Sequence, residues 1–324
     1  MSTPIGIISS AHMHAHGFTA ALKADDRAKI VGVWDDNADR GKEFAVRHGI
    51  AFFDEADALF GKIDAAVICS ENMKHADHIE WAAERNLHIL CEKPIAPNRA
   101  HWDRISAATE DLERVKMTAF PCPFSPTFLA LSQKVRNEDL GRVLAINGTN
   151  QGKCPFGWFV DSSLSGGGAM IDHTVHVVDL MRRLLCCEPE QVQAQVGNKM
   201  YGEAWEDCAM VTIRFENWTL ATVDSSWSRP KNDKVWGNVT LKVLGEKGLC
   251  EADLFIPGIE VLTESGFTHR GVGANFDQLM VSEFLSAIEE NRQPSVTLED
   301  GLWASRVAIA AYESVAQGGE FVTI

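Results

Sequence analysis

The first 120 residues alternate short apolar runs with amphipathic segments. The apolar runs are rich in β-branched residues and predict strands at IGIIS, AKIVGVW, DAAVICS, LHILCEKP and VKMTAF. Between them lie segments such as NMKHADHIEWAAERN, whose apolar residues recur at helical spacing. Apolar strands separated by helices are typical of a parallel sheet that is covered on both faces. The pattern predicts a doubly wound α/β domain over residues 1–121.

The pattern changes after residue 121. A helix is predicted near 126–138, a strand near 142–150 and a long helix at 169–185. Alternating segments follow, EQVQAQVG, DCAMVTIRF, TLATVDSSW and NVTLKVLG, and two helices near 275–290 and 299–317 close the chain. Alternation of this kind is typical of an antiparallel sheet with one packed and one open face. Residues 122–324 are therefore predicted to form an α+β domain with a large, mostly antiparallel, open-faced sheet.

Composition restricts the class of ligand. The 324 residues are long enough for two domains, and the net charge of -15 would repel a phosphate backbone or an anionic membrane surface. We therefore expect a small-molecule ligand and neither nucleic acid nor membrane as partner. The chain lacks a basic start followed by an apolar stretch, and its eight cysteines include no CxxC pair. A cytoplasmic protein with reduced cysteines is expected.

The stretch SSAHMHAHGF, residues 9–18, follows the first predicted strand and permits two interpretations. Two histidines at i and i+2 of a strand can share a metal ion, as in metal-dependent hydrolases built on the (β/α)₈ barrel. A barrel needs helices alternating with strands to the end of the chain, whereas the second half here turns antiparallel. We therefore regard the hydrolase as the weaker hypothesis and predict no metal site.

The second interpretation is a nucleotide loop of Rossmann type. The fingerprint G-x-G-x-x-G falls on Ser9, Ala11 and His14, so all three glycines are missing. The next strand ends in Asp35, about 20 residues after His14, where an acidic residue binds the adenosine ribose. The small residues of the loop still allow its backbone to approach a pyrophosphate at the following helix. The predicted cofactor-binding residues of this loop are Ser9, Ser10, Ala11, His12, Met13 and His14.

The identity of the residue after the second strand bears on the choice between NAD and NADP. A carboxylate at Asp35 would repel a 2′-phosphate, which favours NAD. Arg40, five residues on, weakens that preference, so NADP stays possible.

Three motifs along the chain resemble those of the Gfo/Idh/MocA family, which includes glucose–fructose oxidoreductase and inositol dehydrogenase. They are Ser70-Glu71-Asn72 with His75, then Glu92-Lys93-Pro94, and then GGGxxxDxxxHxxD on Gly166–Gly168, Asp172, His176 and Asp179. The resemblance covers the whole chain. It implies that Lys93, Asp172 and His176 form the catalytic group. It also implies that cofactor contacts come from Ser70, Asn72, His75, Glu92 and Lys93.

The residue types agree with this chemistry. Oxidation of a secondary alcohol needs a base near the hydroxyl, and a histidine such as His176 can serve at neutral pH. Asp172 and His176 are i and i+4, hence neighbours on one helix face. Lys93 follows a parallel strand, at the sheet edge where α/β domains bind ligands. It can lower the pKa of the substrate hydroxyl or relay its proton.

Substrate contacts are predicted at Trp158 and at His173. The aromatic stretch around Trp158 can stack on a sugar ring or pack the domain interior, and His173 faces about 100° away from Asp172 on an ideal helix. Two positions depart from the family pattern. Glu71 replaces the usual proline, and Pro123 stands where an arginine precedes Phe124.

The sequence thus predicts an NAD(P)-dependent oxidoreductase acting on a sugar, a sugar derivative or a cyclitol. Two alternatives share the predicted fold: a glycoside-cleaving enzyme that uses NAD without net redox change, and a non-catalytic sugar or nucleotide sensor. The open sheet face, a subunit interface in similar proteins, predicts a homodimer or homotetramer.

Overall fold

The chain divides into two compact units. The computed structural model describes residues 2–255, 258–263, 266–271 and 273–324, with side chains outside 256–272. One unit consists of Met1–Pro121 and Asn275–Leu302, and the other of Cys122–Ala274 and Trp303–Ile324.

The elements are numbered along the chain. The α-helices are α1 (Ala15–Lys23), α2 (Ala38–His48), α3 (Ala56–Phe60), α4 (His75–Glu84), α5 (Arg99–Thr109), α6 (Pro126–Arg136), α7 (Ser162–Ser165), α8 (Ala169–Leu185), α9 (Phe276–Glu289) and α10 (Leu298–Ala316). The strands are β1 (Thr3–Ile8), β2 (Ala28–Trp34), β3 (Ala51–Phe53), β4 (Ala65–Ile68), β5 (His88–Cys91), β6 (Lys116–Thr118), β7 (Val143–Gln151), β8 (Pro189–Gly197), β9 (Cys208–Phe215), β10 (Leu220–Ser226), β11 (Thr240–Gly245), β12 (Gly248–Asp253), β13 (Gly258–Thr263), β14 (Gly266–Gly271) and β15 (Val322–Thr323).

The sheet of the first unit is parallel throughout, in the order β3-β2-β1-β4-β5-β6. The central strands β4 and β5 are fully buried, which explains their continuous apolar sequence. The predicted doubly wound domain is confirmed. An open six-stranded sheet also excludes the barrel on which the hydrolase hypothesis depended. The sequence missed β3, because three residues are too few to show a period.

The segment Asn275–Leu302 packs with the first unit, although the predicted second domain included it. Helix α9 lies against α1, and the Arg27 guanidinium donates hydrogen bonds to the hydroxyls of Ser282 and Ser286 at 2.8 and 2.7 Å. Leu298 and Leu302 join the apolar core formed around β4 and β5. The predicted domain ranges therefore need correction at 275–302.

The second unit contains a seven-stranded sheet in the order β12-β11-β7-β10-β9-β8-β15. Only β7 and β10 pair in parallel among these strands; the other neighbours are antiparallel. Helix α8 packs on one face, where alternate residues such as Val211 and Val223 are buried. The opposite face carries Met210, Leu220 and Leu244, which are 57%, 54% and 44% exposed. The predicted open-faced sheet is confirmed.

Helix α8 occupies the predicted range 169–185, whereas α6 ends two residues before the predicted 138. None of the described helices combines the length and apolar character needed to cross a bilayer.

Candidate functional site

The loop after β1 begins with a residue in a left-handed backbone conformation. Ser9 has a φ of 63° and stands at the first glycine position of the nucleotide fingerprint. A side chain there costs about 1–2 kcal/mol relative to an unstrained backbone. The conformation is held by hydrogen bonds from the Ser9 amide to the Trp34 carbonyl at 2.7 Å and from the His12 amide to the Cys69 carbonyl at 2.9 Å. The loop therefore keeps a turn that glycine normally favours, without the glycine.

Asp35, the predicted ribose ligand, is buried at the end of β2. Its Oδ2 accepts hydrogen bonds from the Ser10 amide at 2.7 Å and the Ser10 hydroxyl at 2.9 Å. Arg40 donates from Nη2 to Oδ1 at 2.7 Å and from Nε to Oδ2 at 3.0 Å. Burial by itself raises the pKa of the Asp35 carboxyl, but the hydrogen bonds from Arg40, Ser10 and Asn37 hold it below its usual value. Asp35 is therefore ionised at neutral pH.

Arg40 is itself shared among three acidic residues, Asp35, Asp36 and Glu71. Its Nη1 donates to Glu71 Oε1 at 2.9 Å, and Nη2 also lies 3.3 Å from the Ser9 hydroxyl. Lys74 pairs with Glu71 at 3.0 Å and with Asp36. Glu71, which replaces the usual proline, thus joins the residues around Asp35 into one network of charges. No sequence pattern predicted that Arg40 and Glu71 would pair.

Histidines of the same loop surround Glu92, which has no exposed surface. His14 Nδ1 lies 2.9 Å from Glu92 Oε1, and His12 Nδ1 lies 3.5 Å from the same oxygen. Burial raises the pKa of Glu92, but the nearby His12 and His14 and the hydrogen bond from His14 lower it to about 2. Burial lowers the pKa of His14, while Glu92 raises it above its usual value.

His12, His14 and Glu92 could also hold a metal ion, since their ligand atoms all lie within 4.8 Å of one another. Hydrogen bonds already engage all three side chains. The His14 amide donates to His12 Nδ1 at 3.2 Å, and His14 Nδ1 faces Glu92. A hydrogen-bonded cluster accounts for the geometry without an ion.

Lys93 follows Glu92 at the carboxyl end of β5 and is only 4% exposed. Its amide donates to Glu92 Oε2 at 3.1 Å. A surface lysine would be mobile and solvated, whereas this one is enclosed beside a buried carboxylate. Such an environment favours a functional lysine.

The other residues assigned to cofactor binding, Ser70, Asn72 and His75, are all buried. His75 Nδ1 donates to the Pro94 carbonyl at 2.8 Å, so the imidazole holds the turn that carries Lys93. The Ser70 hydroxyl contacts His78 Nδ1 at 2.9 Å.

Helix α8 in the second unit carries Asp172, His173 and His176. Between Ala169 and Arg182, all of which the structure describes, His176 is the one residue that is not buried. Asp179, the last position of the family motif, forms an ion pair with Arg183 at 2.9 Å. The helix therefore exposes the proposed base while it buries the residues beside it.

The Asp172 carboxylate accepts a hydrogen bond from one side chain and lies close to a second, and the sequence pattern predicts neither contact. Trp227 Nε1 donates to Asp172 Oδ2 at 3.0 Å, and His173 Nε2 lies 3.2 Å from the same oxygen. His173 was expected to face away from Asp172, but its side chain bends back towards the carboxylate. Trp227 follows β10 directly, and the tryptophan at a strand end was the only available signal.

The start of α8 is fixed by Glu206. Its Oε1 accepts hydrogen bonds from the Gly168 amide at 2.7 Å and from the Tyr312 hydroxyl at 2.5 Å. A Cβ atom on Gly168 would overlap the Glu206 backbone. Gly168 is therefore required by close packing, and the carboxylate stabilises the helix N-terminus that leads to Asp172.

Aromatic side chains surround this part of the second unit. Trp158 and Phe159 stack with ring centroids 3.9 Å apart, and Trp205 lies edge-on to Trp227 at 5.5 Å. Trp158 is half-buried and belongs to the same apolar cluster as Trp227. The cluster thus packs the unit and still presents an aromatic surface.

Comparison with known proteins agrees with these features. Residues 5–120 match the model of an oxidoreductase family with an NAD-binding Rossmann fold, and residues 128–251 match the GFO/IDH/MocA C-terminal domain. The uncharacterized oxidoreductase YrbE of Bacillus subtilis is 30% identical over 90% of this chain and 88% of its own length. Myo-inositol 2-dehydrogenase of Thermotoga maritima is 27% identical over 91% of each chain.

The fold is shared with solved structures. GenD2 from gentamicin A biosynthesis, crystallised with NAD, superposes with a TM-score of 0.90 at 22% identity, covering 100% of this chain and 96% of GenD2. The matched family models define an NAD(P)-dependent oxidoreductase. The chain belongs to the Gfo/Idh/MocA family of oxidoreductases.

Proposed function

We propose that this protein oxidises a secondary alcohol of a sugar, a sugar derivative or a cyclitol with NAD, and catalyses the reverse reduction. The observation that carries the proposal is on α8, where His176 alone reaches the surface within a buried stretch and Asp172 lies one turn before it. A partly exposed histidine one turn from a buried carboxylate suits the removal of a hydroxyl proton.

The residues of the first unit fit the cofactor. The turn at Ser9 keeps the backbone conformation of the fingerprint, and Asp35 is ionised beside it. Ribose hydroxyls can replace the hydrogen bonds that Arg40 donates to Asp35. When bound, NAD supplies the acceptor for the hydride. Released from Asp35, Arg40 can pair with Glu71 alone or with a 2′-phosphate, which keeps NADP possible.

The proton of the alcohol is assigned to His176, with Lys93 as its partner. His176 accepts the proton as general base, because a neutral imidazole is available near pH 7. Lys93 donates a hydrogen bond to the substrate oxygen and stabilises the developing negative charge there. The Asp172 carboxylate either orients the base or accepts a hydrogen bond from a substrate hydroxyl. The roles of Ser70, Asn72, His75 and Glu92 in this proposal are to shape the cofactor side.

The substrate class rests on two observations. Trp158 lies half-buried in an aromatic cluster beside the buried Asp172, and sugar rings bind to aromatic faces through their apolar C–H surfaces. Among relatives that cover nine-tenths of this chain, one is named a myo-inositol 2-dehydrogenase. Both observations support a substrate whose ring carries several hydroxyl groups.

A substrate panel tests the proposal directly. Purified protein with NAD is mixed with pyranoses, sugar acids and inositols, and the absorbance of reduced nicotinamide is followed. We expect reduction of NAD with at least one member. The glycoside-cleaving alternative would instead release an aglycone from a glycoside without net NADH formation. If the protein binds sugars but neither reduces NAD nor releases an aglycone, the non-catalytic sensor is the better hypothesis.

We also propose that the protein is a homo-oligomer in the cytoplasm. Met210, Leu220, Leu244 and Leu249 lie on the open face of the sheet, where a second copy could cover them. None of the eight cysteines, all of which lie within the described residues, forms a disulfide, in accord with a reducing compartment. Light scattering should give at least a dimer mass, and Leu220→Glu should lower it. A wild-type monomer would contradict the proposal.

A further inference from the structure

Glu71 is a buried carboxylate at a position where the family pattern has proline. It follows β4 and is 4% exposed. Its φ of -62° and ψ of 146° are angles that proline also adopts, since the pyrrolidine ring fixes φ at about -65°. The backbone of this loop therefore does not require glutamate. The replacement of proline by Glu71 adds a carboxylate to the loop, and the contacts of that carboxylate indicate its use.

The Glu71 carboxylate binds the same guanidinium that pairs with Asp35. Arg40 Nη1 donates to Glu71 Oε1 at 2.9 Å, whereas Nε and Nη2 donate to Asp35 at 3.0 and 2.7 Å. Nη2 also donates to Asp36 Oδ1 at 3.1 Å. Each nitrogen of the guanidinium thus donates to a carboxylate. A phosphate group that binds Arg40 must replace at least one of these acceptors.

The two carboxylates that hold Arg40 stand on opposite sides of β1. Strands β2 and β4 both pair with β1, and Asp35 follows β2 while Glu71 follows β4. Because these strands are parallel, their carboxyl ends lie at the same edge of the sheet, where α/β domains bind nucleotides. Arg40 therefore bridges the carboxyl end of β1, beside the carboxylate assigned to the ribose.

Negative charge exceeds positive charge in this network. Its carboxylates belong to Asp35, Asp36 and Glu71. Its cations are Arg40 and Lys74, and Lys74 Nζ lies 3.0 Å from Glu71 Oε2. Burial alone would raise the pKa of Glu71, but its own amide, Lys74 and Arg40 hold that pKa below its usual value. Three carboxylates against two cations leave a negative charge, which disfavours a further anionic group such as a 2′-phosphate.

We propose that Glu71 is a specificity-determining residue that favours NAD over NADP by keeping Arg40 from a 2′-phosphate. The inference rests on the proposed function, in which ribose hydroxyls replace Arg40 at Asp35. Arg40 then keeps its hydrogen bond to Glu71, so its charge stays neutralised by a carboxylate. NAD has a neutral hydroxyl at the 2′ position and needs no cation there, whereas NADP must compete with Glu71 for the guanidinium.

Binding titrations with NAD and NADP test the proposal without an assay of turnover. The ratio of the two dissociation constants is measured by fluorescence for the wild-type protein, Glu71→Gln and Glu71→Pro. Glutamine keeps the size of the side chain and proline suits the backbone, but neither carries the charge. We expect the preference for NAD to fall about tenfold or more in both variants.

The matched control is Glu43→Gln, which removes an exposed carboxylate from α2, the helix of Arg40. Its ratio of dissociation constants should equal that of the wild-type protein. Circular dichroism shows whether each variant is folded. A wild-type ratio in a folded Glu71→Gln or a folded Glu71→Pro would overturn the proposal.

A double variant decides whether Arg40 is the group that Glu71 withholds. Addition of Arg40→Ala to Glu71→Gln should remove the gain in NADP affinity, because the freed guanidinium is its proposed source. A double variant that keeps the gain would overturn the proposal. If the wild-type protein binds neither nucleotide, the proposed function fails together with this inference. If it binds NAD and the ratio does not change in the Glu71 variants, only the inference fails.

Discussion

Arg40 and Asp35 form a two-pronged ion pair, in which Arg40 Nη2 lies 2.7 Å from Oδ1 and Nε lies 3.0 Å from Oδ2. The pair occupies both carboxylate oxygens that would otherwise receive ribose hydroxyls. In the proposed binding mode the ribose hydroxyls exchange with Arg40 at Asp35, and the arginine that leaves is the group best suited to a 2′-phosphate.

Asp35→Ser should narrow the preference for NAD over NADP. The change removes the carboxylate that repels a 2′-phosphate and frees Arg40, so the ratio of kcat/KM for the two cofactors should fall on the order of tenfold or more. Asp36→Ser is the matched control, because Asp36 also contacts Arg40 but is more exposed. An unchanged ratio would mean that Asp35 is only a turn residue.

Ser9→Gly and Ser9→Ala should differ in stability. Both variants lose the hydroxyl, so their difference isolates the backbone conformation at a φ of 63°. Glycine adopts this conformation without steric cost, and we expect Ser9→Gly to be more stable than Ser9→Ala by about 1 kcal/mol. Urea unfolding followed by circular dichroism measures the difference. Equal stability would argue against the left-handed conformation.

Glu92→Gln should cost less stability in acid than near neutrality. Because the pKa of Glu92 is lowered to about 2, its ionised carboxylate contributes to the free energy of unfolding. This contribution is fully present above the usual pKa of 4.5 and is lost as the pH falls through 2. The cost of the substitution should therefore shrink by about 2 kcal/mol between pH 5 and pH 3. Glu84→Gln, on the surface, is the control. A cost that does not vary with pH would refute the buried ionised state.

Protein stripped of metal by a chelator should still bind NAD. The hydrogen bonds among His12, His14 and Glu92 account for their geometry, so no ion is needed to hold the loop. Titration of NAD against the treated protein, followed by fluorescence, measures this. Recovery of binding only after addition of zinc or manganese would replace our interpretation with a metal site.

Lys93→Ala and His176→Ala should each reduce turnover by on the order of 10²–10⁴, the usual contribution of general acid–base catalysis. NAD affinity should survive in both. Because our proposal assigns one proton to both residues, it predicts that the double variant loses much less than the product of the single losses. Lys42→Ala, at an exposed lysine, is the control. Near-normal turnover in a folded Lys93→Ala would contradict the assignment of this lysine.

The sequence predicted those parts of the fold that depend on local period. The apolar runs of β4 and β5 and the long amphipathic α8 lie where the pattern placed them, because burial dictates their residue types. The contacts of Arg40 with Glu71 and of His173 with Asp172 could not be predicted from the sequence. Such pairs depend on side-chain directions and on separations along the chain that no period encodes.

The dependence on contacts between distant parts of the chain also explains why residues 275–302 were assigned to the wrong domain. Helix α9 has the period of any amphipathic helix, and its pattern does not reveal which core receives it. The deciding contacts are specific and distant in sequence, such as the hydrogen bonds from Arg27 to Ser282 and Ser286.

Because Asn275–Leu302 packs with the first unit, that unit can complete its fold only late in translation. During translation, the parallel sheet leaves the ribosome long before α9 exists to pack on α1 and before Leu298 and Leu302 exist to complete the core around β4 and β5. The nascent first unit must wait with part of its apolar surface uncovered while strands β7 to β12 of the second unit are synthesised. A fragment that stops at Pro121 would keep that exposed surface permanently, which makes it a poor candidate for separate expression.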